Sequence, residues 1–180
     1  TYPDARLLLA VREITRAPTV LSLVKNAGFT AVRRSQMKTG EDIIQHPEVI
    51  ILDTIGELGR VYSLADVVFV GGSFVKVGGH NILEPAAHGK PVLVGPHMFN
   101  FRDIFDLLSR RGACIMTGNE KEFEKILFRL LEDPEKIEQM GTAALEVVRE
   151  NQGGTRRNID LFEKLAKKYN IKLMEKPHES

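Results

Sequence analysis

Short, continuous apolar runs alternate with longer amphipathic stretches, and this alternation predicts the elements. RLLLAV (Arg6–Val11) reads as a strand, a helix-like stretch follows to Asn26, and FTAVRRS reads as a second strand. After a polar connection, EVIILD (Glu48–Asp53), DVVFV (Asp66–Val70), PVLVG (Pro91–Gly95) and ACIMT (Ala113–Thr117) are further strands, each separated from the next by room for a helix or crossover loop. Apolar strands alternating with amphipathic segments imply a parallel sheet covered on both faces, an α/β doubly wound domain. From about residue 119 to 174 the pattern is helical only: EKEFEKILFRLLED, a helix opening at Pro134, and a last helix from Thr155 towards Leu173 after a Gly153-Gly154 stop. On that last helix Ile159, Phe162, Leu165, Ala166 and Tyr169 recur at helical spacing, so it is expected to dock by its apolar side.

A chain of 180 residues with 43% hydrophobic content can bury a full core as one domain. Its formal net charge of +1, with both signs interspersed, makes nucleic acid an unexpected partner. A single cysteine, Cys114 in an apolar run, excludes an internal disulfide and a multi-cysteine zinc site and fits a small buried hydrophobe. The histidines are too scattered to suggest a metal cluster. No apolar run approaches the ~18 residues needed to span a bilayer, so no membrane segment is expected in this chain. A strand begins almost at once, whereas a complete domain of this class opens with a strand, its loop and a helix. The chain is therefore expected to be a piece truncated on its N-terminal side.

Candidate chemistry concentrates in GGSFVKVGGHNILEP (Gly71–Pro85), which follows a strand end, where parallel open sheets bind ligands. Glycine admits backbone angles that other residues avoid and lets the chain approach a ligand closely. Asn81 and Glu84 have N-cap spacing, and Pro85 requires a helix that starts near Asn81, so its free N–H groups and positive dipole end would face Gly79 and His80. A phosphate would gain from both. Two readings stand side by side: a mere tight crossover with a helix cap, or a binding loop that uses Gly71, Gly72, Ser73, Gly79, His80, Asn81 and Glu84. The dinucleotide fingerprint and the P-loop are absent.

From Asp53 to Ile104 the chain reads DTIGELGRVYSLADVVFVGGSFVKVGGHNILEPAAHGKPVLVGPHMFNFRDI, and here it resembles the 3-deoxy-D-manno-octulosonic acid (Kdo) transferases, specifically their C-terminal, donor-binding half in a GT-B fold. The resemblance runs from Asp4 onward. It implies transfer of Kdo from the donor CMP-Kdo to the lipid A precursor, at the cytoplasmic face of the bacterial inner membrane, without a metal or other cofactor. The family's Pro-Arg-His turn falls on Val11, Arg12 and Glu13, so only the arginine is kept, and Arg12 would reach the CMP phosphate. Gly56, Glu57 and Leu58 match the loop whose backbone meets the cytosine. Asn81, Ile82, Leu83 and Glu84 match the helix start that holds ribose and phosphate, Glu84 being the candidate for the ribose hydroxyls. The resemblance places the catalytic base and the acceptor surface in an N-terminal domain, so no catalytic residue is named here and this chain alone is expected to be inactive. The alternatives are a nucleotide-sugar epimerase of the same architecture and a non-catalytic nucleotide-binding module.

Overall fold

The computed structural model of the chain describes residues 2, 4–37 and 47–152, which divide into two compact units, Thr1–Ala65 and Asp66–Ser180. The last helix expected from Thr155 lies outside the described residues.

The first unit contains β1 (Leu7–Ala10), α1 (Ala17–Asn26), β2 (Ala31–Arg33), β3 (Val49–Leu52) and α2 (Leu58–Tyr62). Its strands are parallel in the order β1-β3-β2, with Leu9 opposite Ile51 and Val32 opposite Ile50. The middle strand has both edges paired, and its Val49, Ile51 and Leu52 are buried. Helix α1 begins with Pro18 in its first turn, where a missing N–H costs nothing. Its Ala17, Val20, Leu21 and Val24 recur at helical spacing and close over Val49 and Ile51.

Beyond β3, Asp53 is only 7% exposed. Its carboxylate accepts the Ser35 N–H at 2.8 Å and the Ser35 hydroxyl at 2.6 Å, with the Arg33 guanidinium at 3.6 Å. Burial alone would raise the pKa of this carboxyl, but the bonds from Ser35 and the Arg33 charge outweigh it and hold the group below the usual range. The carboxylate thereby ties together the C-terminal ends of β2 and β3.

The second unit contains β4 (Val68–Val70), α3 (Leu83–Ala87), β5 (Val92–Val94), α4 (Arg102–Arg110), β6 (Cys114–Met116), α5 (Glu120–Leu131) and α6 (Pro134–Asn151). Its strands are parallel in the order β4-β5-β6. All three side chains of β5 are fully buried. Val92 and Val94 pack with Ile82, Leu108, Ala144 and Val147, whereas Leu93 faces the other way into Leu130 and Met140. A strand covered on both faces has no polar side to show, which is why PVLVG is continuously apolar. Cys114 lies in this core, and burial pushes its thiol up to about 12, as expected of a structural cysteine.

The parallel α/β order matches the expectation, but the described strands pair as two three-stranded sheets, one in each unit. Each sheet is organised about one strand with two paired edges, β3 or β5.

Three of the described helix ends follow one chemical rule. After α4, Gly112 takes φ 72°, its N–H bonds the Ser109 carbonyl and the Ala113 N–H bonds the Leu108 carbonyl. This is the Schellman arrangement, which requires a left-handed residue and so selects glycine. The ends of α1 and α3 repeat it, with Phe29 bonding Val24 and Lys90 bonding Pro85. Two helix starts use side chains: Asn119 accepts the Glu122 N–H at 3.0 Å for α5, and Asp133 accepts the Lys136 N–H at 2.9 Å for α6.

Gly59 and Gly141 both lie inside helices, where alanine for glycine ordinarily stabilises by up to about 1 kcal/mol. Nothing lies within 4 Å of where a Cβ on Gly59 would be, but a Cβ on Gly141 would meet the Gly89 carbonyl oxygen at 2.3 Å. Gly59→Ala is expected to raise the urea midpoint and Gly141→Ala to lower stability by about 1–3 kcal/mol. Equal signs for the two would disprove the close approach of α6 to the end of α3.

Asp53 predicts a pH dependence. Its folded pKa lies below the unfolded value of about 3.9, so its contribution is present above that value and is lost as pH falls through the folded pKa. Between about pH 6 and pH 3, Asp53→Asn should therefore lose less stability than the wild type, measured by denaturant unfolding at each pH.

Candidate functional site

In the first unit, the sequence-predicted residues lie on the loops that follow β1 and β3. Val11 packs its partly buried side chain against the core cluster of Ala17, Val49 and Ile51. Arg12 is exposed and makes no ion pair among the described residues. Gly56 takes φ 84° with nothing within 4 Å of where a Cβ would lie. Glu57 precedes α2, and its carboxylate accepts hydrogen bonds from the Thr54 hydroxyl and, at 2.8 Å, from the Arg34 guanidinium. The Thr54 bond, with the Arg34 charge, holds this carboxyl below the usual range. Its side chain braces the loop, leaving the backbone of Gly56 to Leu58 as the part offered outward. Leu58, the first residue of α2, is half-buried.

In the second unit, Gly71–Glu84 connects the end of β4 to α3. Ser73 is 0% exposed. Its hydroxyl donates to the Val70 carbonyl at 2.6 Å and accepts the Gly95 N–H at 2.8 Å. Expected as a ligand contact, the Ser73 hydroxyl instead stitches the loop after β4 to the end of β5, and no part of it reaches solvent. Gly72 takes φ 71°, and the His80 ring lies over it, 3.0 Å from where a Cβ would be. His80 is half-buried against this glycine. Gly71 is exposed, with nothing around its Cβ position.

The start of α3 corrects the expected cap. The helix begins at Leu83 and runs only to Ala87, so it carries little dipole. The Asn81 side chain accepts the Leu83 N–H at 3.0 Å and donates from its amide to the Glu84 carboxylate at 3.0 Å. A capping box needs the glutamate to reach the backbone N–H of the cap residue; Glu84 reaches a side chain and stays exposed. Ile82 is a fully buried core residue, 0% exposed, and presents neither side chain nor backbone at the surface. Leu83 is exposed. Among the described residues, the N–H groups of the half-buried His80 and Asn81 have no hydrogen-bond acceptor. This stretch thus presents backbone donors beside a solvent-facing carboxylate, a combination suited to a phosphate and vicinal hydroxyls.

Sequence reasoning passed over the turn after β5. Asn100 donates from its amide to the Val77 carbonyl at 3.0 Å and from its backbone to the Gly78 carbonyl at 3.3 Å. A Cβ on Gly79 would lie 2.3 Å from the Met98 sulfur, and one on Gly78 2.3 Å from the Asn100 amide nitrogen. The available signal was GPHMFN, a Gly-Pro at a strand end answering a glycine loop at the neighbouring strand end.

Residues 43–147 match the family model described as glycosyl transferases group 1. The chain is 40% identical to a 3-deoxy-D-manno-octulosonic acid transferase of Haemophilus influenzae over 89% of its own length and 37% of that protein. It is 33% identical to the enzyme of the same name from Aquifex aeolicus over 76% of this chain and 36% of that protein. A solved structure, the C-terminal CMP-Kdo binding domain of WaaA from Acinetobacter baumannii, superimposes with a TM-score of 0.71 at 33% identity, covering 79% of this chain and 73% of that one. The chain thus spans little more than a third of the full-length relatives it matches. Because the family model covers more than half of its residues, the chain belongs to the group 1 glycosyl transferases.

Proposed function

We propose that this chain is the donor-binding part of a transferase that moves Kdo from CMP-Kdo to the lipid A precursor. The observation that carries the reading is the start of α3, where the N–H groups of His80 and Asn81, without an acceptor among the described residues, adjoin an exposed Glu84 that caps no backbone group there. The similarity to a domain described as CMP-Kdo binding supports the same ligand. In this reading the backbone donors meet the nucleotide phosphate and Glu84 accepts from the ribose hydroxyls. Within the first unit, taken by itself, Arg12 is assigned a phosphate contact and the Gly56–Leu58 backbone a contact with the base.

The reaction is a displacement at the anomeric carbon of Kdo. The acceptor hydroxyl forms the new C–O bond, the bond to CMP breaks with its electron pair leaving on the phosphate, and the hydroxyl proton passes to a base. No residue of this chain is assigned as that base. Donors aimed at the phosphate stabilise the charge that develops on leaving CMP, so the proposal needs no metal. Among the described residues no helix is long and apolar enough to cross a membrane. The proposed place of action is the cytoplasmic face of the bacterial inner membrane, where the lipid acceptor is.

Calorimetric titration should give CMP binding tighter than UMP and no binding of NAD. A preference for UMP would favour an epimerase instead. Glu84→Ala should weaken CMP by about tenfold or more, the worth of a hydrogen bond to a charged group, while stability changes by less than about 1 kcal/mol. Undiminished CMP affinity beside a lowered melting point would make Glu84 a purely structural residue.

A second outcome concerns turnover. Incubated with CMP-Kdo and the lipid A precursor, this chain alone should release no CMP and form no product, because donor and acceptor parts must close around the reacting carbon. Product formation would overturn the assignment of the base to another part of the enzyme.

A further inference from the structure

We infer that the turn after β5, Gly95 to Asn100, is the template that shapes the Gly71–Glu84 segment, and that Asn100 is its positioning residue. The inference rests on the nucleotide-binding reading above and adds residues to it. Asn100 holds two successive carbonyls, Val77 through its side chain and Gly78 through its N–H. The Gly78–Gly79 peptide is then clamped at both ends, since its N–H, on Gly79, donates to the Gly72 carbonyl at 3.0 Å. A planar peptide held at its oxygen and its nitrogen has no rotation left, and the residue that leaves it is His80, the first of the unpaired donors.

The same turn fixes the other end of the loop. Gly95 donates to the Ser73 hydroxyl, and the His97 N–H donates to the Ser73 carbonyl at 2.9 Å. A Cβ on Gly95 would lie 2.6 Å from that carbonyl oxygen. Gly78 and Gly79 likewise leave no room for a Cβ against Asn100, Phe99 and Met98. Gly95 is therefore required by one backbone lying on another, and Gly78 and Gly79 by the side chains that the turn lays against the loop, before any ligand enters. Ser73 anchors the buried root of the loop, whereas Asn100 works at its exposed arm, where a substitution spares the core.

The test uses Asn100→Ala and Asn100→Asp in the full chain, with Gly141→Ala as a variant destabilised where α6 meets the end of α3, outside the loop. Aspartate keeps the shape of asparagine but cannot donate to Val77, so it should behave like alanine. In nitrogen–proton correlation spectra both variants should move the Gly72, Gly78 and Gly79 amide signals, and Gly141→Ala should not. CMP affinity should fall by about three- to tenfold in both, the loss of one hydrogen bond, with none in Gly141→Ala. Unmoved glycine signals, or affinity that falls no further than in Gly141→Ala, would overturn the assignment. Should the wild type bind no CMP, the proposed function fails separately. The glycine signals then decide alone: displaced in both Asn100 variants they uphold the template, unmoved they reject it.

Discussion

Burial of β5 on both faces, with both of its edges paired, is the constraint on which the second unit depends. Val92 and Val94 turn towards Leu108, Ala144 and Val147 while Leu93 turns towards Leu130 and Met140, so helices must cover the sheet on two sides at once. The strand cannot shift register without exchanging these faces. Its C-terminal end becomes a fixed point from which neighbouring segments are hung: the Val94 carbonyl accepts from the Thr117 N–H and hydroxyl, and the Gly95 N–H donates to Ser73. The first unit repeats the principle with β3, whose following residue, Asp53, holds Ser35.

The candidate site therefore separates into a rigid base and a chemically open rim. Ser73, Gly78, Gly79, Ile82 and Met98 have their contacts satisfied within the protein. The rim consists of the backbone N–H groups of His80 and Asn81, the exposed Glu84 carboxylate and its Asn81 partner. Such a division suits a group that must meet developing charge without reorganising, because donors already fixed in direction cost little when the ligand arrives. The short α3 adds little macrodipole, so directed N–H groups take the place of the helix field as the source of positive potential.

Glycine has two different jobs here, and the letter alone does not separate them. Gly28, Gly89 and Gly112 end helices in a left-handed conformation, a role readable from their place after amphipathic stretches. Gly95 and Gly141 have ordinary φ angles and are required by carbonyl groups a few ångströms from where a Cβ would be. Only the folded chain brings those carbonyls near.

The order of parallel strands and helices could be read from the sequence because burial on two faces leaves a local mark: uninterrupted apolar runs such as VIIL and VLV, separated by amphipathic stretches. The family resemblance was legible for a similar reason, since the segment from Asp53 to Ile104 carries its glycines, Asn81 and Glu84 at fixed spacing. Tertiary structure alone decided which polar side chains face solvent. Ser73 and Glu84 look equally able to bind a ligand in the sequence, yet one is enclosed between β4 and β5 and the other exposed. Hydrogen-bond partners 22 and 23 residues away, Gly95 for Ser73 and Val77 for Asn100, have no local signature. A side chain's availability depends on what long-range pairing has already claimed, and periodicity records only which way it points.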